Sequence, residues 1–367
     1  MDSHAPETGG AVAHGLGYRP ELDGVRGVSI LLVVVHHLRF TLVGGGFLGV
    51  DVFFVLSGFL ITTLLAREWE ARGAISLRAF YLRRVLRLAP ALLTLLICMC
   101  LYAAYSLDGE LARDYYLASG ATLLYVSNYI FAAWEKFSFT PMGITWSLAV
   151  EEQFYLLWPP VFCLLLRRRV RRGRVIAGLC VAIALIALNR ALLWNSHAVL
   201  KRMYYGSDTR FDALLAGCLL ALLLAWRMIP APGRLARALA IVPGVWLVYW
   251  LGNAHFTMEW LYKYGGFTLV AIVLAYFLWL IWHDAARPLT WVLRLPPLVW
   301  LGKVSYGLYL WHWAVVVFFY SWNLPQTNRD LIRAVAIMLV VTAFSYYVIE
   351  RPFLALKNKH RGKEPAC

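Results

Sequence analysis

Residues 26–43 read RGVSILLVVVHHLRFTLV. A bilayer span takes about 20 mostly apolar residues, and this run is long enough to be one. Yet it opens on Arg26 and holds His36 and His37 within it. Ionisable groups are costly in hydrocarbon, so each one inside a span is a functional candidate. Arg26 and His37 are eleven residues apart. At about 100° per residue this is three turns plus roughly 20°, so both share one helix face, about 16 Å apart along the axis. His36 points about 100° away from His37. An imidazole titrates near neutral pH, so His37 can take a proton from an attacking hydroxyl. Arg26 offers a forked donor for phosphate or carboxylate. A structural role fits the same spacing: an arginine marking the inner boundary and a histidine satisfied by a helix neighbour.

Similar runs recur near 46–66, 88–106, 146–166, 175–193, 210–228, 237–253, 265–283, 304–322 and 331–350. With the first, they predict an all-α, polytopic transmembrane helix bundle of about ten spans. Composition agrees: 61% of the 367 residues are hydrophobic, against about 45–50% in a soluble domain. The net charge of +15 raises nucleic acid as a partner. That reading fails because the basic residues fall in short clusters between apolar runs, as in cytoplasmic loops.

The clusters are Arg67/Arg72/Arg78/Arg83/Arg84/Arg87, the run 167–174, Arg227/Arg234/Arg237, Arg287/Arg294 and Lys357/Lys359/Arg361/Lys363. With ten spans and both termini in the cytoplasm, all of them fall inside. A weaker run near 115–133 is rich in Tyr, Ser and Asn. If it crossed, the later clusters would be flipped outside. Residues 107–145 are therefore expected to form an outer segment, re-entrant or lying along the interface. Lys201 and Arg202 are the main outer exception. Residues 67–87 fit an amphipathic helix at the inner interface. The expected organisation is a disordered cytoplasmic tail (1–17), one membrane domain (18–356) and a basic cytoplasmic tail (357–367). The six cysteines show no zinc-like spacing with histidine, and no metal site is expected.

Two adjacent carboxylates, Glu151 and Glu152, lie about a turn and a half into the run 146–166. They cannot both face lipid, so at least one meets a polar cavity or a cation. A structural ion pair with Arg210 or Arg26 is the plainer expectation for them. Arg84 and Arg87 share a face near the inner boundary. They suit a phosphate cluster such as that of coenzyme A, and positive-inside anchoring explains them equally well. The chain has no nucleophile elbow, P-loop or zincin motif.

Several ordered stretches carry a family resemblance. They are YRPELDGVRG (18–27), GFLGVDVFFVLSGF (46–59) and FYLRR (80–84) with Arg87 and Pro90. Then come Trp146-Ser147-Leu148 with EEQFY (151–155), TRFDAL (209–214), SYGLYLWH (305–312) and Glu350-Arg351-Pro352. In this order they resemble the integral membrane acyltransferase family 3, O-acyltransferases that modify surface polysaccharides, lipopolysaccharide and some macrolides. The resemblance implies a cytoplasmic acyl-CoA co-substrate, no resident cofactor, and an acceptor hydroxyl at the membrane or its outer face. It implies that Arg26 and His37 match the family's arginine–histidine pair, and that Arg84 and Arg87 match its Arg-x-x-Arg pair. Glu151 or Glu152 is then expected to orient His37 or bind acceptor hydroxyls. Trp146, Ser147, Tyr155, Arg210, Asp212 and His312 are the expected substrate contacts. Some members carry a C-terminal soluble hydrolase-like domain. This chain ends soon after Pro352, so transfer is expected to use the membrane domain alone or a separate soluble partner. Rival readings are a transporter, and an acyl-donor carrier feeding a separate transferase.

Overall fold

The computed structural model describes residues 18–38, 42–195, 200–321 and 327–355. The tails assigned to 1–17 and 357–367 lie outside the described residues, as do residues 39–41 of the first run. Among the described residues the chain is helical, with no strand. The helices are α1 (Pro20–Leu38), α2 (Gly49–Arg72), α3 (Leu77–Ser106), α4 (Gly109–Leu123), α5 (Ser127–Ala133), α6 (Trp146–Arg167), α7 (Arg172–Asn195) and α8 (Leu200–Tyr205). They continue as α9 (Ser207–Ala225), α10 (Arg234–Leu239), α11 (Ile241–Asn253), α12 (Glu259–Tyr262), α13 (Gly266–Trp282), α14 (Arg287–Leu293), α15 (Pro296–Ser321) and α16 (Asn328–Phe344).

Five stretches are long and apolar enough to cross a membrane alone: Gly44–Arg72, Leu77–Ser106, Arg172–Asn195, Arg234–Asn253 and Asn328–Ala355. A sixth, α13, qualifies only with α14, from which it is bent by 89°. Four more helices, α1, α6, α9 and α15, are 19, 22, 19 and 26 residues long and also have span length. These four hold several of the ionisable residues singled out in the sequence. They carry Arg26 and His37, Glu151 and Glu152, Arg210 and Asp212, and His312 respectively. Most of the more apolar stretches lie at the periphery, with few buried residues. This is the distribution expected when lipid is the solvent: apolar faces outward and polar groups toward the bundle interior. The chain is an integral membrane protein.

The basic clusters assemble at one end. Arg19 lies over the ring of Trp282 at 4.4 Å, and Arg67 lies over the same ring at 6.0 Å. Arg294 reaches Glu21 at 3.3 Å, and Arg172 lies over Trp226 at 5.7 Å. The end of α2 thus meets the end of α13, and the start of α7 meets the end of α9. The basic exception sits at the opposite end, where Arg202 is neutralised by Asp208 at 2.8 Å.

One correction concerns the connections. Residues 67–87 do not form a separate interfacial helix. Gly73 takes a left-handed φ of 66° and its N–H closes the end of α2 on Trp69. Ser76 then caps α3 by accepting from the N–H of Ala79. The amphipathic pattern belongs to the end of α2 and the first turns of α3. Residues 107–145, by contrast, turn back on themselves. Helix α4 starts beside Tyr102, whose ring is 6.0 Å from Tyr115. The chain reverses at Tyr125 (φ 53°), and the Tyr125 carbonyl accepts from Gln153, two turns into α6. Thr145 then returns to the level of Thr122, hydroxyl to hydroxyl at 2.8 Å.

The two most extensive helix pairings are α1 with α15 and α2 with α9. Both depend on glycine, which lets helix backbones approach closely in a membrane. A Cβ added to Gly302 would sit 1.8 Å from the Asp23 carbonyl oxygen, and one on Gly27 would sit 2.1 Å from that of Leu298. Gly58 and Gly217 bring α2 onto α9 in the same way. The second pairing encloses a salt bridge between Arg210 and Asp51 at 2.9 Å, both about 1% exposed. Removing one partner of a buried pair strands the other charge and costs about 3–5 kcal/mol. Asp51→Ala and Arg210→Ala are therefore each expected to lower stability by about that amount. The double variant should lose less than the sum of the two, because neither charge is then stranded. Thermal unfolding in detergent, across this double-mutant cycle, checks the expectation.

Candidate active site

The first-span pair separates into two levels of one polar column. His37 lies in the last turn of α1 and pairs with α15. Its Nδ1 is 3.0 Å from Nε2 of His312. The two rings meet edge to edge, their planes 25° apart and their centroids 5.2 Å apart, and the indole of Trp313 lies 4.8 Å from His37. Trp313 is itself anchored, its Nε1 donating to the Thr140 carbonyl at 3.0 Å. His312 is fully buried, and its Nδ1 lies 2.7 Å from the Tyr309 carbonyl oxygen. His36 turns away, with Nδ1 3.1 Å from the Val43 carbonyl oxygen and its ring against Phe47.

One turn below His312, the hydroxyls of Tyr309 and Ser147 meet at 2.6 Å. One turn further along α6 lies Glu151, which accepts from Ser57 at 2.9 Å and from Tyr155 at 3.4 Å. The three-residue step on α15 and the four-residue step on α6 sum to roughly 10 Å between the His312 and Glu151 levels.

The lower level is a cluster of arginines and carboxylates. Arg84 donates from Nε to Glu152 at 2.7 Å, approaches Glu151 at 4.0 Å, and lies over the Tyr155 ring at 3.2 Å. Arg87 feels the charges of Arg26, Arg84 and Glu151. Glu350, in the π-helical turn Ser345–Glu350, faces Arg87 electrostatically. Arg26 also reaches Asp23 at 3.7 Å. Beside Arg84 a cavity of about 240 Å³ opens between α3, the Tyr125 reversal and α6. Its walls are Val85, Leu88, Leu92 and Leu123, and Arg84, Glu152 and Tyr125 supply its polar part.

The sequence-named residues thus divide into two groups. His37, His312, Ser147, Glu151, Glu152, Tyr155, Arg84, Arg87 and Arg26 form one column. Arg210 and Asp212 stand in a separate buried network. Arg210 pairs with Asp51, and Asp212 with Arg190 at 2.8 Å and Thr268 at 2.6 Å. Trp146 borders that network by packing on Tyr204 at 4.7 Å, while Tyr204 lies 5.0 Å from the Arg210 guanidinium. Neither Glu151 nor Glu152 forms an ion pair with Arg210; both meet Arg84. Neither contacts His37, whose Nδ1 partner is His312 instead. Trp313, Tyr309 and Arg190 complete the two networks, and sequence reasoning did not assign them roles. Arg190 did carry a signal, as a charge deep in the apolar run 175–193.

The family profile described as an acyltransferase domain matches residues 19–350. The chain is 33% identical over 350 residues to the peptidoglycan O-acetyltransferase OatA of Listeria monocytogenes, covering 91% of this chain and 56% of that protein. It is 33% identical over 358 residues to a candidate O-acetyltransferase of Staphylococcus aureus, covering 92% of this chain and 57% of that protein. A candidate peptidoglycan O-acetyltransferase of Bacillus subtilis is 32% identical over 355 residues, covering 91% of this chain and 55% of that protein. The chain therefore spans a little over half the length of these curated relatives. No solved structure matches it significantly. With one family profile spanning nearly the whole helical bundle and its polar column, the chain belongs to acyltransferase family 3.

Proposed function

We propose that the protein is a membrane O-acyltransferase that moves an acyl group, acetyl by default, from acyl-CoA to a hydroxyl of a carbohydrate or glycolipid-type acceptor. The observation that carries this reading is the column itself. It joins an arginine cluster at its lower level to a half-buried histidine about 16 Å higher on α1. The positive-inside rule puts the basic end in the cytoplasm, where acyl-CoA is available. Two relatives bear names tied to peptidoglycan, a glycan polymer, which supports a carbohydrate hydroxyl as acceptor.

In this mechanism Arg84 and Arg87 bind donor phosphate or carbonyl oxygens. Arg26 joins them, since its axial distance from His37 is too great for both to touch one carbonyl. The cavity beside Arg84 is smaller than the roughly 300–1,000 Å³ of whole-ligand pockets. It suits the thin acyl-thioester arm, leaving the nucleotide outside. The acceptor oxygen attacks the thioester carbon and its proton passes to Nε2 of His37. The tetrahedral oxyanion collapses, the C–S bond breaks, and the CoA thiolate takes the proton back from the imidazolium. The products are an O-acyl ester and CoA thiol.

Purified protein, radiolabelled acetyl-CoA and chitotetraose as acceptor probe test the proposal. Labelled glycan formed without a partner supports it; acetyl-CoA binding with no transfer to glycan contradicts it. Arg84→Ala and Arg87→Ala should each raise KM for acetyl-CoA by about 10–100-fold, the value of one charge-assisted hydrogen bond of about 1.5–3 kcal/mol. An unchanged KM in both would remove them from donor binding. A second reading, an acyl carrier feeding a separate transferase, is favoured by the length of the relatives beyond the matched region. It predicts product only when such a transferase is added.

A further inference from the structure

We propose that His312 is the positioning residue of the proposed transfer, setting which nitrogen of His37 acts as base. The proposal rests on His37 being the base, and it follows from hydrogen-bond bookkeeping. A carbonyl oxygen only accepts, and Nδ1 of His312 lies 2.7 Å from the Tyr309 carbonyl oxygen and 3.1 Å from that of Leu308. Nδ1 of His312 therefore carries the hydrogen. In a neutral imidazole the other nitrogen is then an acceptor, so Nε2 of His312 presents a lone pair. A doubly protonated His312 would be a fully buried cation, a costly state without a charge partner, and no described carboxylate forms an ion pair with it.

Across the 3.0 Å contact, the hydrogen must come from Nδ1 of His37. That leaves Nε2 of His37 without a hydrogen, and no hydrogen bond to it forms among the described residues. The ring's orientation is fixed as well. His312 holds the Nδ1 edge and Trp313, tied to the Thr140 carbonyl, packs against the ring. His37 is only half buried while His312 is fully buried, so the outer imidazole meets substrate and the inner one holds it. In many hydrolases a carboxylate does this work by holding the base in one tautomer. Here a neutral imidazole takes that place, itself locked by the backbone of its own helix. It avoids a buried anion in a membrane interior.

The arrangement makes a distinction that a packing role does not. His312→Gln can keep an acceptor oxygen near the lost Nε2, whereas His312→Phe keeps ring volume and offers none. His312→Phe is expected to lower kcat by about 100-fold or more, in the range for losing the correct tautomer of a general base, with KM for acetyl-CoA unchanged. His312→Gln should recover most of that loss. Solid-state NMR of the full chain in bilayers, with nitrogen-15 histidine, should find His37 of the unaltered protein protonated at Nδ1 and bare at Nε2. Equal kcat in the two variants, whether both active or both inactive, overturns the proposal. So does an Nε2-protonated His37 in the unaltered protein, a measurement that needs no variant to fold. If His37→Gln itself keeps full activity, the base assignment fails first. If His37→Gln is inactive while His312→Phe is fully active, only the positioning role fails.

Discussion

His37→Gln is expected to lose about 10²–10⁴-fold in kcat, the span attributed to a positioned general base. Glutamine keeps a donor for His312 and most of the side-chain volume, but it cannot take up a proton at neutral pH. The protein should still insert, and acetyl-CoA should still bind, because the arginine cluster lies about 16 Å away along α1. The neighbouring histidine is the matched control. His36 bonds the Val43 carbonyl oxygen through Nδ1 and faces Phe47 rather than the column. An asparagine amide can reproduce that bond, so His36→Asn should stay near the activity of the unaltered protein. Transfer assays on the two purified variants, with thermal unfolding alongside, decide the matter. Loss of activity in His36→Asn with retention in His37→Gln would move the base to the other histidine.

Gly302→Leu should be nearly as damaging, though it touches neither histidine. Its new Cβ would sit 1.8 Å from the backbone oxygen of Asp23, so α15 must move away from α1. Overpacking of this kind costs about 1–3 kcal/mol in stability. The larger effect falls on chemistry. The same two helices hold the 3.0 Å contact between His37 and His312, and a 1 Å misplacement of a catalytic group can cost about 10²-fold in rate. Gly178→Leu is the control, because a Cβ there meets nothing within 4 Å. Activity and unfolding temperature measured on both variants test the seam. Equal activities in the two would show that close approach of α1 and α15 does not position the histidines.

Legibility in the sequence differs from feature to feature. The apolar runs were visible because span length is a property of consecutive residues. The helices that carry the candidate ionisable residues were found from length, yet composition alone passes over α1, α6, α9 and α15. The turn at Gly73 and Ser76 was present as a glycine and a capping serine, and the amphipathic pattern across it masked the break. The carboxylates were recognised as needing a cation, and Arg210 and Arg26 were the expected partners. Arg84 takes Glu152 instead, from 68 residues away. Desolvation demands that a buried charge find a partner, but it does not select one.

The sequence by itself therefore determined an all-α membrane bundle, its family and the shared face of Arg26 and His37. Each of these follows from local periodicity, apolar length or ordered motifs. Only the tertiary structure decided that His37 meets His312, 275 residues away, and that Arg210 leaves the column for Asp51, 159 residues away. Those pairings are set where glycines let α1 reach α15 and α2 reach α9. Close backbone approach depends on the shape of two helix surfaces at once, and neither helix's sequence contains that information alone.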